Sequence, residues 1–171
     1  MVGGTAARWG HGPGRHSECP GRHGDSRGAG ADDYAARMFD ERPDIQARLD
    51  EELVAWMTTV NPAGQPQTSP VWFLVQGESI VVYSLAQTPR TRNIAANPRV
   101  SLNLNSTREG GEVVVIEGLA EVIEGGPPAD EDRDYVAKYE TAMEDMGMTA
   151  GSFAADYPVR IHVQPTRLRA S

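Results

Sequence analysis

The chain has 171 residues with a formal net charge of −8 at pH 7, and 39% of them are hydrophobic. This length predicts one domain plus additional chain, and the acidic balance argues against nucleic acid as a partner, because phosphate contacts dominate that affinity. A single cysteine, Cys19, excludes a disulfide framework and favours a cytoplasmic location, and no apolar run approaches the roughly 20 residues that span a membrane.

Residues 1–37 are predicted to form a disordered tail. Residues 1–30 contain nine of the 18 glycines and show neither helical nor strand periodicity, so they bury too little apolar surface to offset chain entropy. Met38 is a candidate alternative translation start, since recognisable structure begins just after it. Four side chains in the tail have a spacing that zinc ligands can have: His11, His16, Cys19 and His23. No metal site is expected there, because a structural zinc site needs ligands held by a folded scaffold.

Residues 44–171 are predicted to form the folded domain, which opens with a helix capped by Asp44. Four apolar residues recur at helical spacing and form one face of this helix, which places Trp56 in the core. They are Ile45, Leu49, Leu53 and Trp56. Strands are predicted at 57–60, 66–75 and 79–85. The tight turns between them indicate an antiparallel meander.

The second half of the domain is predicted to contain two helices and three strands. Thr88 and Pro89 open a short helix over 89–96, which Asn97-Pro98 ends. Strands follow at 100–105 and 112–124, with Gly118 as a bulge, and a last strand begins at 159 and closes at Pro165. A helix is predicted to open at 125–128, and residues 147–152 are predicted to form a loop after it. The apolar face of this helix consists of Tyr135, Tyr139, Met143 and Met146.

Helices and strands do not alternate regularly in this order, which disfavours a doubly wound parallel sheet. The pattern instead predicts a mainly β fold, a small antiparallel barrel with flanking helices.

The segment 83–94 has the chemistry of an anion site. A strand delivers Ser84 to its end, Thr88 caps the next helix, and Arg90 and Arg92 lie in the first turn of that helix. Cations there oppose the helix dipole, but they are favourable where an anion occupies the helix N-terminus, and arginine forms forked bonds to phosphate. The alternative is that both arginines face solvent or pair with surface carboxylates.

This segment resembles the cofactor-phosphate motif of the pyridoxamine 5'-phosphate oxidase-like split barrels (the PPOX class). In that motif, a strand ending in hydroxyl residues precedes a basic residue and a short helix ending in Asn-Pro. The matching residues here are Ser84, Arg90, Arg92 and Asn97-Pro98, and the resemblance covers nearly all of residues 45–169. In character the chain is most similar to actinobacterial enzymes that use the 5-deazaflavin coenzyme F420.

The resemblance implies an antiparallel, FMN-binding-like split β-barrel that forms a homodimer and completes its site across the dimer interface. The cofactor phosphate would lie at the strand-to-helix segment and the tricycle against the second strand. The implied cofactor-binding residues are Val60, Ser69, Pro70, Val71, Trp72, Ser84, Thr88, Arg90, Arg92 and Asn93.

The implied function is an F420H2-dependent reductase that transfers a hydride to an unsaturated small-molecule acceptor. The alternatives are an FMN-binding oxidoreductase of the same class and a non-enzymatic cofactor-binding protein. Oxidation of a B6 vitamer is not expected, because pyridoxamine phosphate oxidases have Arg-Lys at the position of Pro89-Arg90 and a longer C-terminus.

No acid–base triad is expected, because His162 is the one histidine of the domain. Some members of the superfamily bind haem, but His162 is expected to be an exposed strand residue rather than a haem ligand. Tyr135, Tyr139 or solvent could supply the proton that completes a reduction.

Overall fold

The computed structural model describes Phe39 and residues 41–171, so the predicted tail and its histidines lie outside the described residues. Four helices accompany six strands in this part of the chain. The strands are β1 Val54–Val60, β2 Pro66–Gln76, β3 Ser79–Ser84, β4 Arg99–Asn103, β5 Val114–Ile123 and β6 Val159–Ala170. The helices are α1 Pro43–Glu51, α2 Pro89–Ala96, α3 Arg133–Asp145 and α4 Ala150–Asp156.

The six strands close into one antiparallel barrel in the order β1-β2-β3-β6-β5-β4, which confirms the predicted fold class. The longest pairing, between β5 and β6, shifts register at Glu117 and Gly118. A Cβ at Gly118 would lie 2.7 Å from the carbonyl oxygen of Gln164, so only glycine allows this close approach. The predicted bulge is therefore confirmed.

The first helix is shorter than predicted, and the assignment of Trp56 to the core was wrong. Helix α1 ends at Glu51, and β1 starts at Val54. Because side chains alternate across a strand, Ala55 and Met57 point into the barrel while Trp56 lies outside and is 44% exposed. Asp44 does not cap α1 but pairs with the guanidinium of Arg42 at 2.8 Å.

The C-terminal part contains two further differences from prediction. Residues 150–156 form helix α4 rather than part of a loop, because Thr149 and Ser152 exchange the two hydrogen bonds of a capping box. Strand β6 does not end at Pro165 but continues to Ala170. Pro165 pairs with Gly118 at the bulge, where a missing backbone donor is tolerated.

The core has two parts, and the second of them positions the site. The first is the apolar barrel interior. The second lies outside the barrel, where α3 and α4 pack aromatic side chains over β2 and β3. Helix α3 starts only at Arg133, with Asp132 as its N-cap, and Met146 at its end is 61% exposed rather than on the buried face. No helix in the described residues is long and apolar enough to cross a membrane.

Candidate functional site

A cleft of about 410 Å³ opens between β2, β3, the start of α2 and the connection from α3 to α4. Six of the ten predicted cofactor-binding residues line it: Pro70, Val71, Trp72, Ser84, Thr88 and Arg90. The other lining residues are Val54, Tyr83, Leu85, Met146, Met148, Phe153 and Tyr157. Cavities of this size accommodate small molecules.

Arg90 is the one charged residue among those that line the cleft. Its guanidinium donates to the Ser69 hydroxyl at 2.6 Å, the Pro70 carbonyl at 3.2 Å and the Ser84 hydroxyl at 3.3 Å. Its Nε is buried without a hydrogen-bond partner. No carboxylate of the described residues pairs with it, and burial lowers the pKa of the guanidinium. A cation that is bonded only to neutral oxygens is suited to an added anion.

The N-terminus of α2 adds to this positive potential. The Thr88 hydroxyl caps the helix by accepting from the Thr91 amide at 3.2 Å, and the first turn contains no acidic residue. Pro89 has no N–H and the Arg92 amide donates to the Thr88 carbonyl at 3.3 Å, so the Arg90 amide is the one amide of this turn without a partner among the described residues. This amide and the positive end of the helix dipole lie beside the Arg90 guanidinium. The hydroxyls of Ser69 and Ser84 lie within reach of the same guanidinium. The residues present thus fit a phosphate group.

Four predicted residues do not line the cleft, and one of them, Ser69, reaches it only through its bond with Arg90. Arg92 is exposed and donates to the carbonyl of Gln87, whose φ of 57° is left-handed. Asn93 is buried, and its amide donates to Thr59 at 3.0 Å and to Gln67 at 2.8 Å, which ties α2 to the barrel. Val60 borders a separate groove on the outer face of β1, β4 and β5.

Trp72 is the centre of an aromatic stack. Its ring lies 4.5 Å from Tyr139 at an interplanar angle of 4°, and 5.2 Å from Phe153 at 13°. Phe153 stacks in turn on Tyr157 at 4.5 Å. Trp72 therefore stacks on two protein rings and also lines the cleft.

Helices α3 and α4 and their connection form one wall of the cleft, and the sequence analysis did not predict this wall. It contributes Met146, Met148, Phe153 and Tyr157. Two signals could have located it. Thr149 and Ser152 have the spacing of a capping box, and Phe153 and Tyr157 are four residues apart, which places them on one helix face.

Neither tyrosine that was considered as a proton source reaches the cleft. Tyr135 and Tyr139 are fully buried, and burial raises the pKa of both hydroxyls. The Tyr139 hydroxyl accepts from the Phe73 amide at 2.7 Å and faces the carbonyl oxygens of Phe73 and Leu53 at 2.7 and 2.9 Å. Tyr139 thus fastens α3 to β1 and β2, and its proton is held by the backbone.

His162 is not among the residues that line the cleft. It lies on β6, partly buried, next to a shallow groove with Glu121 and Gln164. Burial, together with the charge of Arg160, lowers the pKa of its imidazole. In the described residues, no group of three or more histidine, cysteine or carboxylate side chains could hold a metal ion.

The barrel and its anion-suited cleft define a split-barrel protein of the oxidoreductase type. The pyridoxamine 5'-phosphate oxidase family model matches residues 42–170, so the chain belongs to this family. A search of curated proteins found no match.

Three solved structures show how varied similar proteins are. An F420 reductase is 25% identical, with a TM-score of 0.54, over 72% of this chain and 94% of that protein. An FAD-binding protein from Mesorhizobium loti is 17% identical, with a TM-score of 0.55, over 74% and 90%. The haem-storage protein HutZ of Vibrio cholerae is 18% identical, with a TM-score of 0.56, over 75% and 92%.

Proposed function

We propose that this protein is an F420H2-dependent reductase that transfers a hydride from the reduced deazaflavin to an unsaturated small molecule. The observation that carries the proposal is Arg90, a partly buried cation with an unpaired Nε and only neutral oxygens around it. Such a group is stabilised by an anion, and the phosphate of a flavin-type cofactor supplies one. The similarity to an F420 reductase favours the deazaflavin over FMN.

Each part of the cleft has a role in this function. When bound, the deazaflavin supplies the hydride. The guanidinium and backbone amide of Arg90 and the Ser84 hydroxyl would hold its phosphate. Pro70 and Val71 line the neighbouring wall, and the α3–α4 wall keeps water from the apolar end. The protein thereby orients two bound molecules, and no residue needs to form a covalent bond.

We further propose that the protein is cytoplasmic and that a second copy of the chain completes the site. The outer face of β1 and its neighbours exposes apolar side chains, with Trp56 at 44% and Leu119 at 46%. Trp56 pairs across β1 and β2 with Pro70, which lines the cleft, so this face is continuous with the rim of the site. Exposed apolar patches of this kind are typical of protein interfaces.

The test is titration of the purified protein with coenzyme F420 and, separately, with FMN and haemin. The fluorescence anisotropy of the two flavin-type cofactors reports their binding directly, and absorbance reports haemin. Tight binding of F420 with weak binding of FMN supports the proposal. Turnover is then measured as loss of reduced F420 with a panel of unsaturated acceptors.

The other outcomes separate the alternatives. Preference for FMN would replace the proposal with an FMN-binding oxidoreductase. Binding of F420 without turnover across the panel would indicate a cofactor-binding protein without enzymatic activity. Preference for haemin would place the chain with the haem-storing relative. Failure to bind any of the three would contradict the proposed cofactor site.

A further inference from the structure

The chain has a single lysine, Lys138, which lies on helix α3. Its side chain is partly buried and does not line the cleft. The Nζ donates to the Leu49 carbonyl at 2.7 Å, and it lies 4.1 Å from the centre of the Phe73 ring and 5.7 Å from the centre of the Tyr139 ring. The amine of Lys138 therefore connects α3 with the end of α1 and with β2.

This amine has no carboxylate partner. None of the ion pairs in the described part of the chain includes Lys138. The charges of Asp50 and Glu52 favour the ammonium form, but burial has the larger effect and lowers the pKa of Lys138 to about 8. A lysine amine attacks carbonyl carbons only when it is uncharged, and desolvation is one way in which proteins activate it. Lys138 is thus a nucleophilic group for which the proposed hydride transfer has no use.

The surroundings of the amine fit an acylated lysine. An N-acyl lysine retains one N–H, which can donate to the Leu49 carbonyl as the amine does. Because it has no charge, the cost of burying an ammonium group disappears, at the loss of the cation contact with the Phe73 ring. The neighbours of the Nζ are a carbonyl oxygen and two aromatic rings, and none of them requires a positive charge.

We propose that Lys138 is a site of acylation and that the acyl donor is a thioester. After the ammonium group loses a proton to water, the Nζ electron pair forms a C–N bond with the thioester carbonyl carbon. The C–S bond breaks, and the leaving thiolate takes up the proton that the nitrogen loses. The products are an N-acyl lysine and a free thiol. The proposal does not depend on the function proposed above, because Lys138 does not line the cleft.

The experiment measures acetylation of the full chain by acetyl-coenzyme A near neutral pH. Peptide mapping by mass spectrometry separates Lys138 from the N-terminal amine. The reference is a synthetic peptide of residues 134–142 with a blocked N-terminus, in which the same lysine is exposed to water. Lys138 of the folded protein is expected to react at least about fivefold faster than the peptide, because more of its amine is uncharged.

The pH dependence of the rate and two variants identify the amine that reacts. Acetylation of Lys138 in the folded protein should stop rising above about pH 8, whereas acetylation of the peptide continues to rise. Asp50→Asn should increase the rate near neutral pH, since this carboxylate favours the charged amine. Lys138→Arg is the matched control, because it retains a cation and should be acetylated only at the N-terminus.

The proposal is overturned if Lys138 in the folded protein reacts no faster than the peptide, or if the wild type is acetylated only at its N-terminus. Either result would mean that the contacts with Leu49 and Phe73 close the amine off from the thioester. A failure of the proposed function is separate from both. Absence of F420 binding would remove the reductase and leave the Lys138 site standing, and an unreactive Lys138 would leave the reductase standing.

Discussion

The guanidinium of Arg90 donates to the hydroxyl of Ser69 at 2.6 Å, which joins the first turn of α2 to the neighbouring strand β2. These residues are 21 positions apart in the chain. The bond holds the cation over the cleft instead of letting it extend into solvent. It also leaves the Nε buried and unpaired.

Substituting Arg90 should weaken cofactor binding, whereas substituting its neighbour Arg92 should not. Arg90→Ala removes a charge-assisted contact to phosphate, so we expect a loss of about 1.5–3 kcal/mol in binding free energy. Arg92→Ala is the matched control, because this exposed arginine lies outside the cleft and binds only the Gln87 carbonyl. Titration with F420 measures both. Equal losses in the two variants would contradict the placement of the phosphate at Arg90.

Without cofactor, Arg90→Ala should be as stable as the wild type or slightly more stable. The substitution removes a partly buried cation that has no carboxylate partner among the described residues and that opposes the dipole of α2. Urea denaturation of the protein free of cofactor measures this. A large loss of stability would show that Arg90 is a structural residue that holds α2 on β2.

Trp56→Asp should prevent self-association if the outer face of β1 contacts a second copy. The exposed indole would be replaced by a carboxylate, which is costly to bury unpaired. Sedimentation velocity of the wild type and the variant gives their masses in solution. Thr107→Asp, on the exposed loop between β4 and β5, is a control for added charge. A wild type that is monomeric at all concentrations would contradict the proposed dimer.

Gly118→Ala should destabilise the barrel by about 1–3 kcal/mol, in the range for inserting a methyl group into a packed site. The new Cβ would lie 2.7 Å from the Gln164 carbonyl and 2.8 Å from a methyl group of Val163. Gly151→Ala in α4 is the control, since its nearest neighbour is 3.9 Å away and alanine favours helix. Free energies of unfolding from urea titration compare the two. Similar free energies of unfolding for the two variants would mean that β5 and β6 can move apart at the bulge without loss of stability.

The stability of the protein should depend on Lys138 between pH 8 and about 10.5. Burial lowers the pKa of this ammonium from 10.5 to about 8 in the folded state. The unfolded chain then binds more protons across this window, so stability rises with pH there. Below pH 8 both states are protonated and the difference is constant. We expect the rise in the wild type but not in Lys138→Met.

Two contacts of Lys138 oppose the effect of burial on its pKa. Its Nζ donates to the Leu49 carbonyl at 2.7 Å and lies 4.1 Å from the centre of the Phe73 ring, and both contacts favour the charged form. If they balance burial, the pH dependence of Lys138→Met will match that of the wild type, and if they outweigh it, the stability of the wild type will fall as the pH rises through the pKa of Lys138. NMR titration of the Lys138 ammonium then gives the pKa directly.

The prediction of a disordered tail can be tested by deletion. Every residue that lines the cleft lies between Val54 and Tyr157. Removing residues 1–37 should therefore leave the melting temperature and the affinity for F420 nearly unchanged. A large loss of either quantity would show that this segment is part of the folded domain.

Local patterns were sufficient for much of the barrel. The alternation in β4, the cap at Thr88 and the proline at the start of α2 are each determined by neighbours in the chain, so they were predictable. The same is true of Ser84 and Arg90 at one strand-to-helix junction. The boundary between α1 and β1 was not predictable, because Leu53 and Trp56 continue the helical period past the true end of the helix.

The sequence by itself determined the fold class and the family, and it predicted the strand-to-helix segment that carries Ser84, Thr88 and Arg90, because these depend on spacing and on residues within a few positions of one another. Only the tertiary structure decided which side chains share the cleft. Arg92, Asn93 and Val60 do not line it, whereas Phe153 of α4 and Tyr157, the C-cap of α4, do. It also stacked Trp72 on Tyr139 and Phe153. The physical reason is that packing between α3, α4 and β2 joins distant segments, such as Tyr139 and Phe73, which are 66 positions apart, and no local pattern records that contact.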